Sequence, residues 1–118
     1  MIAPTDSTQL YVYLDPIDMR KNIDGLAYLL VDQFEQDPQS DAFFIFTNKS
    51  RNKIKLLAWD KNGFVLYYKR LEKGRFQYSK YLQGDKIVIT KSVLKALLMG
   101  LDFHIVSQHP EQKYTDFI

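Results

Sequence analysis

The sequence predicts an α+β domain: a mostly antiparallel β-sheet with two amphipathic helices packed on one face. Three observations lead there. Short stretches rich in aromatic and β-branched residues recur along the chain, and two of them meet at Asn62-Gly63, a strong hairpin signal. Two longer stretches repeat their apolar residues at three- and four-residue steps, the period of a helix face. The resulting order, β-α-β-β-β-(β)-β-α, runs most strands consecutively, which favours antiparallel neighbours with helices laid against the sheet.

At 118 residues, 46% hydrophobic and 14% aromatic, the chain can bury a core as one domain. That domain is expected to span residues 1–118, with its core over about 9–103 and an unassigned tail at 104–118. Gln9 to Leu14, QLYVYL, reads as the first strand, ended by Asp15-Pro16. Ile23, Leu26, Ala27, Leu30, Val31 and Phe34 then mark one face of a helix capped by Asn22 or Asp24 and stopped at Gln36-Asp37-Pro38.

Ala42 to Thr47, AFFIFT, suits a strand buried on both faces, and a polar turn follows over Asn48 to Asn52. Lys53 to Asp60 opens in alternation, with Lys53 and Lys55 outward and Ile54 and Leu56 inward. Asn62 and Gly63 both accept the positive φ of a tight primed turn, so the strand returns over Phe64 to Lys73. Phe76 to Leu82 is a strand or a loop, Gln83-Gly84-Asp85 a turn, and Lys86 to Ile89 a short strand. Thr90 can cap a second helix on Val93, Leu94, Leu97, Leu98 and Leu101, closing near Gly100 to Phe103.

Composition closes several routes to function. With no cysteine there are no disulfides or thiolate metal sites. No run of about 18 apolar residues and no leader-like N-terminus disfavour membrane insertion and secretion, so a cytoplasmic location is expected. The histidines, His104 and His109, lie in the tail, and no serine stands in a Gly-x-Ser-x-Gly setting, which argues against an enzyme working by covalent catalysis. No glycine-rich nucleotide loop appears, so neither a cofactor nor a small-molecule substrate is supported. Asp15, Asp18 and Asp24 gather before the first helix, where turn formation and capping explain them better than a metal-dependent nuclease does.

Charge is the strongest chemical signal. Lys49 to Lys80 holds ten basic residues against Asp60 and Glu72, a net +8 that leaves −6 on the rest of the chain. A block of like charge points to an anionic partner, although long basic side chains also cover ordinary sheet faces. Arg51, Lys53 and Lys55, with either Lys69 or Arg70, can line one ridge, because Lys69 and Arg70 project to opposite faces. Arg75 extends that ridge, and Arg20 and Lys21 either extend it too or pair with Asp18 and Asp24. Such a ridge suits DNA phosphates, with Trp59, Tyr67, Tyr68 and Tyr78 as candidate base-stacking residues if they are exposed and not in the core.

The order of short motifs resembles a known family. Asp18-Met19-Arg20-Lys21, Asp24-Gly25-Leu26, Asp37-Pro38, Lys53-Ile54-Lys55-Leu56-Leu57, Trp59-Asp60, Gly63, Lys69-Arg70-Leu71-Glu72, Gly74-Arg75-Phe76 and Leu97-Leu98-x-Gly100-Leu101-Asp102 occur in that sequence. Together, over about Leu10 to Phe103, they are similar to the TnpB-type accessory protein of the insertion-sequence-sixty-six family. The resemblance implies a small bacterial protein encoded by a mobile element beside a larger transposase. It would assist transposition, a DNA recombination, without being the strand-transfer enzyme.

Three departures from the family pattern stand out. Asn22 replaces the usual glycine, and both residues tolerate a left-handed backbone. Tyr78-Ser79 replaces a Trp-Pro pair, and the arginine-rich turn of many members is reduced to Asn48-Lys49-Ser50-Arg51-Asn52-Lys53. Lysine lacks the planar fork that grips guanine, so phosphate binding is expected more than sequence readout. Two partners follow: DNA through the basic ridge, or the element's transposase through the acidic remainder, Asp15, Asp18, Asp24, Asp32, Glu35, Asp37 and Asp41.

Overall fold

A computed structural model describes residues 3–77 and 83–99. Seven elements follow in order: β1 (Gln9–Tyr13), α1 (Ile23–Asp32), β2 (Ala42–Thr47), β3 (Lys53–Asp60), β4 (Gly63–Arg70), β5 (Lys86–Val88) and α2 (Lys91–Leu98). The strands form one sheet in the order β4-β3-β2-β1-β5. Every neighbouring pair is antiparallel except β1 and β2, which run parallel with α1 as their crossover. The α+β class expected from the sequence is therefore the observed one.

The helices do not share a face. Leu26 and Leu30 of α1 pack on Tyr13, Phe44, Phe46 and Leu57. Val93, Leu94, Ala96 and Leu97 of α2 pack on Leu10, Val12, Phe43 and Ile45. Because strand side chains alternate, these sets lie on opposite sides of the sheet, which corrects the one-sided arrangement. AFFIFT is the reason: all six residues of β2 are buried, and a strand buried on both faces needs a cover on each. Tyr13 stacks on Phe46 with ring centroids 5.0 Å apart, and its hydroxyl is buried with no hydrogen-bond partner among the described residues.

The hairpin forms, but its turn falls one residue earlier than Asn62-Gly63. Asp60 pairs with Gly63, leaving Lys61 and Asn62 in the turn, and Lys61 takes the positive φ of 57°. No strand covers Phe76 and Gln77; the remainder of that expected segment, the end of the second helix beyond Met99 and the tail lie outside the described residues. Thr90 does cap α2, its hydroxyl accepting from the Val93 amide at 3.1 Å. Asn22 is the cap residue of α1, but its φ of −106° is extended, not left-handed, and its side chain makes no capping bond.

Candidate nucleic-acid interface

The strand directions bring distant basic residues to one end of the sheet. β1 and β2 end there, β3 starts there and β4 ends there, with Lys53 directly opposite Arg70. Leu71 donates to the Asn52 carbonyl at 2.7 Å, and Phe76 donates to the Arg51 carbonyl at 2.7 Å. Arg75 is thereby held beside the β2–β3 turn. Across the sheet, Ile17 donates to the Thr47 carbonyl at 2.9 Å, which carries the loop bearing Arg20 and Lys21 to the same end.

The β2–β3 turn is shaped by asparagine. The Asn48 side-chain oxygen accepts from the Asn52 and Lys53 amides at 3.1 and 3.0 Å, while its nitrogen donates to the Asn52 side chain at 2.7 Å. Such side-chain bonds to nearby amides replace a backbone turn. Arg51 takes a φ of 57° within it.

Lys55 is not part of this surface, although alternation puts it on the same face as Lys53. It is 5% exposed. Its ammonium donates to the carbonyls of Met19 and Lys21, both at 2.7 Å, and to the Asn22 side-chain oxygen at 3.2 Å, with the Tyr68 ring centroid 5.4 Å away. Three donors meet three acceptors, so the charge is spent on fastening the loop before α1 to the sheet. Alternation predicts the face of a side chain but not what covers that face. Lys69 is also drawn away: it projects to the α2 face and donates to the Leu98 carbonyl at the end of that helix.

Two of the arginines, Arg20 and Arg70, are held by carboxylates. Arg20 bonds Asp18 through Nη2 at 2.7 Å and through Nε at 3.0 and 3.1 Å, the pairing alternative for this one residue. The Arg20 hydrogen bonds, from side chain and then backbone, hold the Asp18 carboxyl down to about 2. Arg70 pairs with Glu72 at 2.9 Å. Both pairs are solvent-exposed, so they are weak enough for a phosphate to replace the carboxylate.

Lys49 and Lys73 are exposed at the same end and belong with Arg51, Lys53 and Arg75. Sequence reasoning counted them in the basic block without placing them in the ridge; the signal was that the β2–β3 turn and the end of a paired β4 must lie together. Of the stacking candidates, Tyr68 is 50% exposed on the α1 face. Tyr67 packs on the α2-side core, and Trp59 lies at the far end of the hairpin against Phe64, ring centroids 5.0 Å apart. Tyr78 lies outside the described residues.

Among the described residues no group of three or more His, Asp or Glu side chains is placed to hold a metal ion, and no helix is long and apolar enough to cross a membrane. What the strand pairing gathers at this end of the sheet is positive charge, with hydrogen-bonded turns fixing its shape.

The chain belongs to the family of IS66 Orf2 like proteins, whose model matches residues 8–108. That membership supports a role accessory to transposition of an insertion sequence. Two relatives from Sinorhizobium fredii (strain NBRC 101917 / NGR234) match nearly end to end. The uncharacterized protein y4jC is 28% identical over 115 residues, 98% of this chain and 97% of the relative. The uncharacterized protein y4hO is 26% identical over 114 residues, 97% of this chain and 95% of the relative. No solved structure matches the chain.

Proposed function

We propose that the chain is a non-catalytic accessory protein of DNA transposition that holds the DNA phosphate backbone at the open end of the β3–β4 hairpin. One observation carries this reading: Lys49, Arg51, Lys53, Arg70, Lys73 and Arg75, from two segments, are gathered by strand pairing at one end of the sheet. Arg20 and Lys21 flank them on the α1 side. Lysines and exposed arginines in this pattern give affinity by releasing counterions from DNA and carry little sequence information.

The test is fluorescence anisotropy with duplex and single-stranded DNA, including the element's ends, over a salt series. Lys53→Glu with Arg75→Glu should weaken binding on all sequences, and neutral Lys53→Gln should lower the salt slope by about one. Lys91→Gln, at the opposite end of the sheet and on its β5 side, should leave affinity unchanged. Equal loss from Lys91→Gln, or no binding at low salt, removes the reading.

A second reading has its own observation. Tyr28 and Val31, one helical turn apart on α1, are 68% and 56% exposed amid the acids Asp24, Asp32 and Glu35. An apolar pair within an acidic rim suits a basic protein such as the element's transposase. Co-purification with the transposase that is lost on Tyr28→Lys, without retention on DNA, would select it.

A further inference from the structure

The two edges of the sheet are built differently. β5 has three residues, begins with Lys86, and offers little to pair with. β4 is an edge of eight residues, GFVLYYKR, with no proline and no charge before Lys69. Natural sheets usually blunt long edges with charge, proline or a bulge. β4 has none of these over Phe64 to Tyr68.

Its backbone direction follows from its partner. Asp60 and Gly63 close the hairpin, and the Leu71 amide donates inward to Asn52. Antiparallel pairing alternates, so Gly63, Val65, Tyr67 and Lys69 face β3 with their amides and carbonyls. Those of Phe64, Leu66, Tyr68 and Arg70 point outward, unpaired by any described strand.

We propose that this edge pairs with the same edge of a second copy of the chain, antiparallel about a two-fold axis at Leu66, joining the two sheets into one. The side chains favour this register. Phe64 falls opposite Tyr68 of the partner subunit and Tyr68 opposite the partner's Phe64, two aromatic cross-strand pairs on the α1 face. Leu66 meets its own copy, and Val65 meets the partner's Tyr67 on the α2 face. Charge agrees as well: Lys69 and Arg70 at one end of β4 lie against the uncharged Gly63 and Asn62 of the partner's other end. A parallel pairing would instead stack like charges. Because one surface serves both partners, the contact closes at two copies.

Absence of native cysteine makes a clean test possible. Sedimentation velocity of the full chain across the micromolar range should show a concentration-dependent dimer. Leu66→Cys should form a covalent dimer on mild oxidation, because facing Cα atoms about 5.5 Å apart lie within disulfide reach. Val88→Cys, on the other edge, should not. Tyr68→Pro removes one outward amide while sparing the β3 ladder, and should shift the population to monomer. A wild-type monomer throughout, equal cross-linking of the two cysteine variants, or a wild-type dimer that Leu66→Cys does not trap would overturn the proposal. Dimer formation is read without DNA, so its outcome is independent of the DNA-binding test.

Discussion

The Lys55 ammonium lies 3.2 Å from the side-chain oxygen of Asn22, so the residue that begins α1 spends its side chain on the sheet and not on its own helix. The same ammonium holds two carbonyls of the preceding loop. A lysine that looks like part of a DNA-binding ridge is a fastener between a strand and a helix start.

Replacing Lys55 by methionine keeps much of the apolar stem but strands the Met19 and Lys21 carbonyls. Stability should fall by about 1–3 kcal/mol, the usual contribution of hydrogen bonds made by a charged group. Urea unfolding of the purified variant measures this. Its DNA affinity, taken under folded conditions, should match the wild type; a loss comparable to that of Lys53→Glu would return Lys55 to the interface.

Thr90→Ala removes the hydroxyl that accepts from the Val93 amide. The expected cost is about 1 kcal/mol, as for other capping residues. The same measurement on Thr90→Ser should show most of that stability retained, since serine carries the same acceptor.

Asp18 gives a pH signature. Its carboxyl, bonded to Arg20, titrates at about 2 in the folded chain, below its ordinary value of 3.8. A depressed folded value means the unfolded chain takes up this proton first. The contribution to stability is therefore present above the ordinary carboxylate range and is lost as pH falls through the folded value. Carboxyl-carbon NMR should place the midpoint low in the wild type and higher in Arg20→Gln, yet still below the ordinary value, because the backbone bond to Asp18 is kept. An unchanged midpoint in the variant would mean that Arg20 is not the cause.

Tyr13→Phe should stabilise the fold by about 1 kcal/mol, because a buried hydroxyl without a partner is more costly than none. Burial also raises the phenol's titration well above its ordinary value, so the wild-type ring should stay protonated in strongly alkaline, still-native solution. Thermal unfolding measures the first effect and ultraviolet titration the second. A marked loss of stability would mean that the hydroxyl is bonded.

Much of this fold was legible because its signals are local. The helix stripes, apart from Val31, which lies exposed, the Thr90 cap and the hairpin follow from spacing and turn chemistry within a few residues. The one-sided packing was wrong although AFFIFT already held the contrary signal, a strand with no wet face. The candidate site was less legible. Lys53 and Lys55 share a face and a composition, and only a loop more than thirty residues earlier in the chain distinguishes the half-buried charge from the buried one. Arg70 carries Glu72 two residues away, the same local pattern that offered Asp18 as a partner for Arg20.

The first strand of the chain is interior to the sheet, with β2 on one side and β5 on the other. The pairs Tyr11 with Val88 and Val12 with Ile87 span most of the sequence. During synthesis, β1, α1, β2, β3 and β4 therefore leave the ribosome with one side of β1 unclosed, because β5 follows all the other described strands. Closing so long a loop is entropically slow relative to forming the hairpin. A nascent chain halted before residue 86 would present an apolar strand edge to chaperones or to its own neighbours, and the emergence of β5 would be the event that seals it.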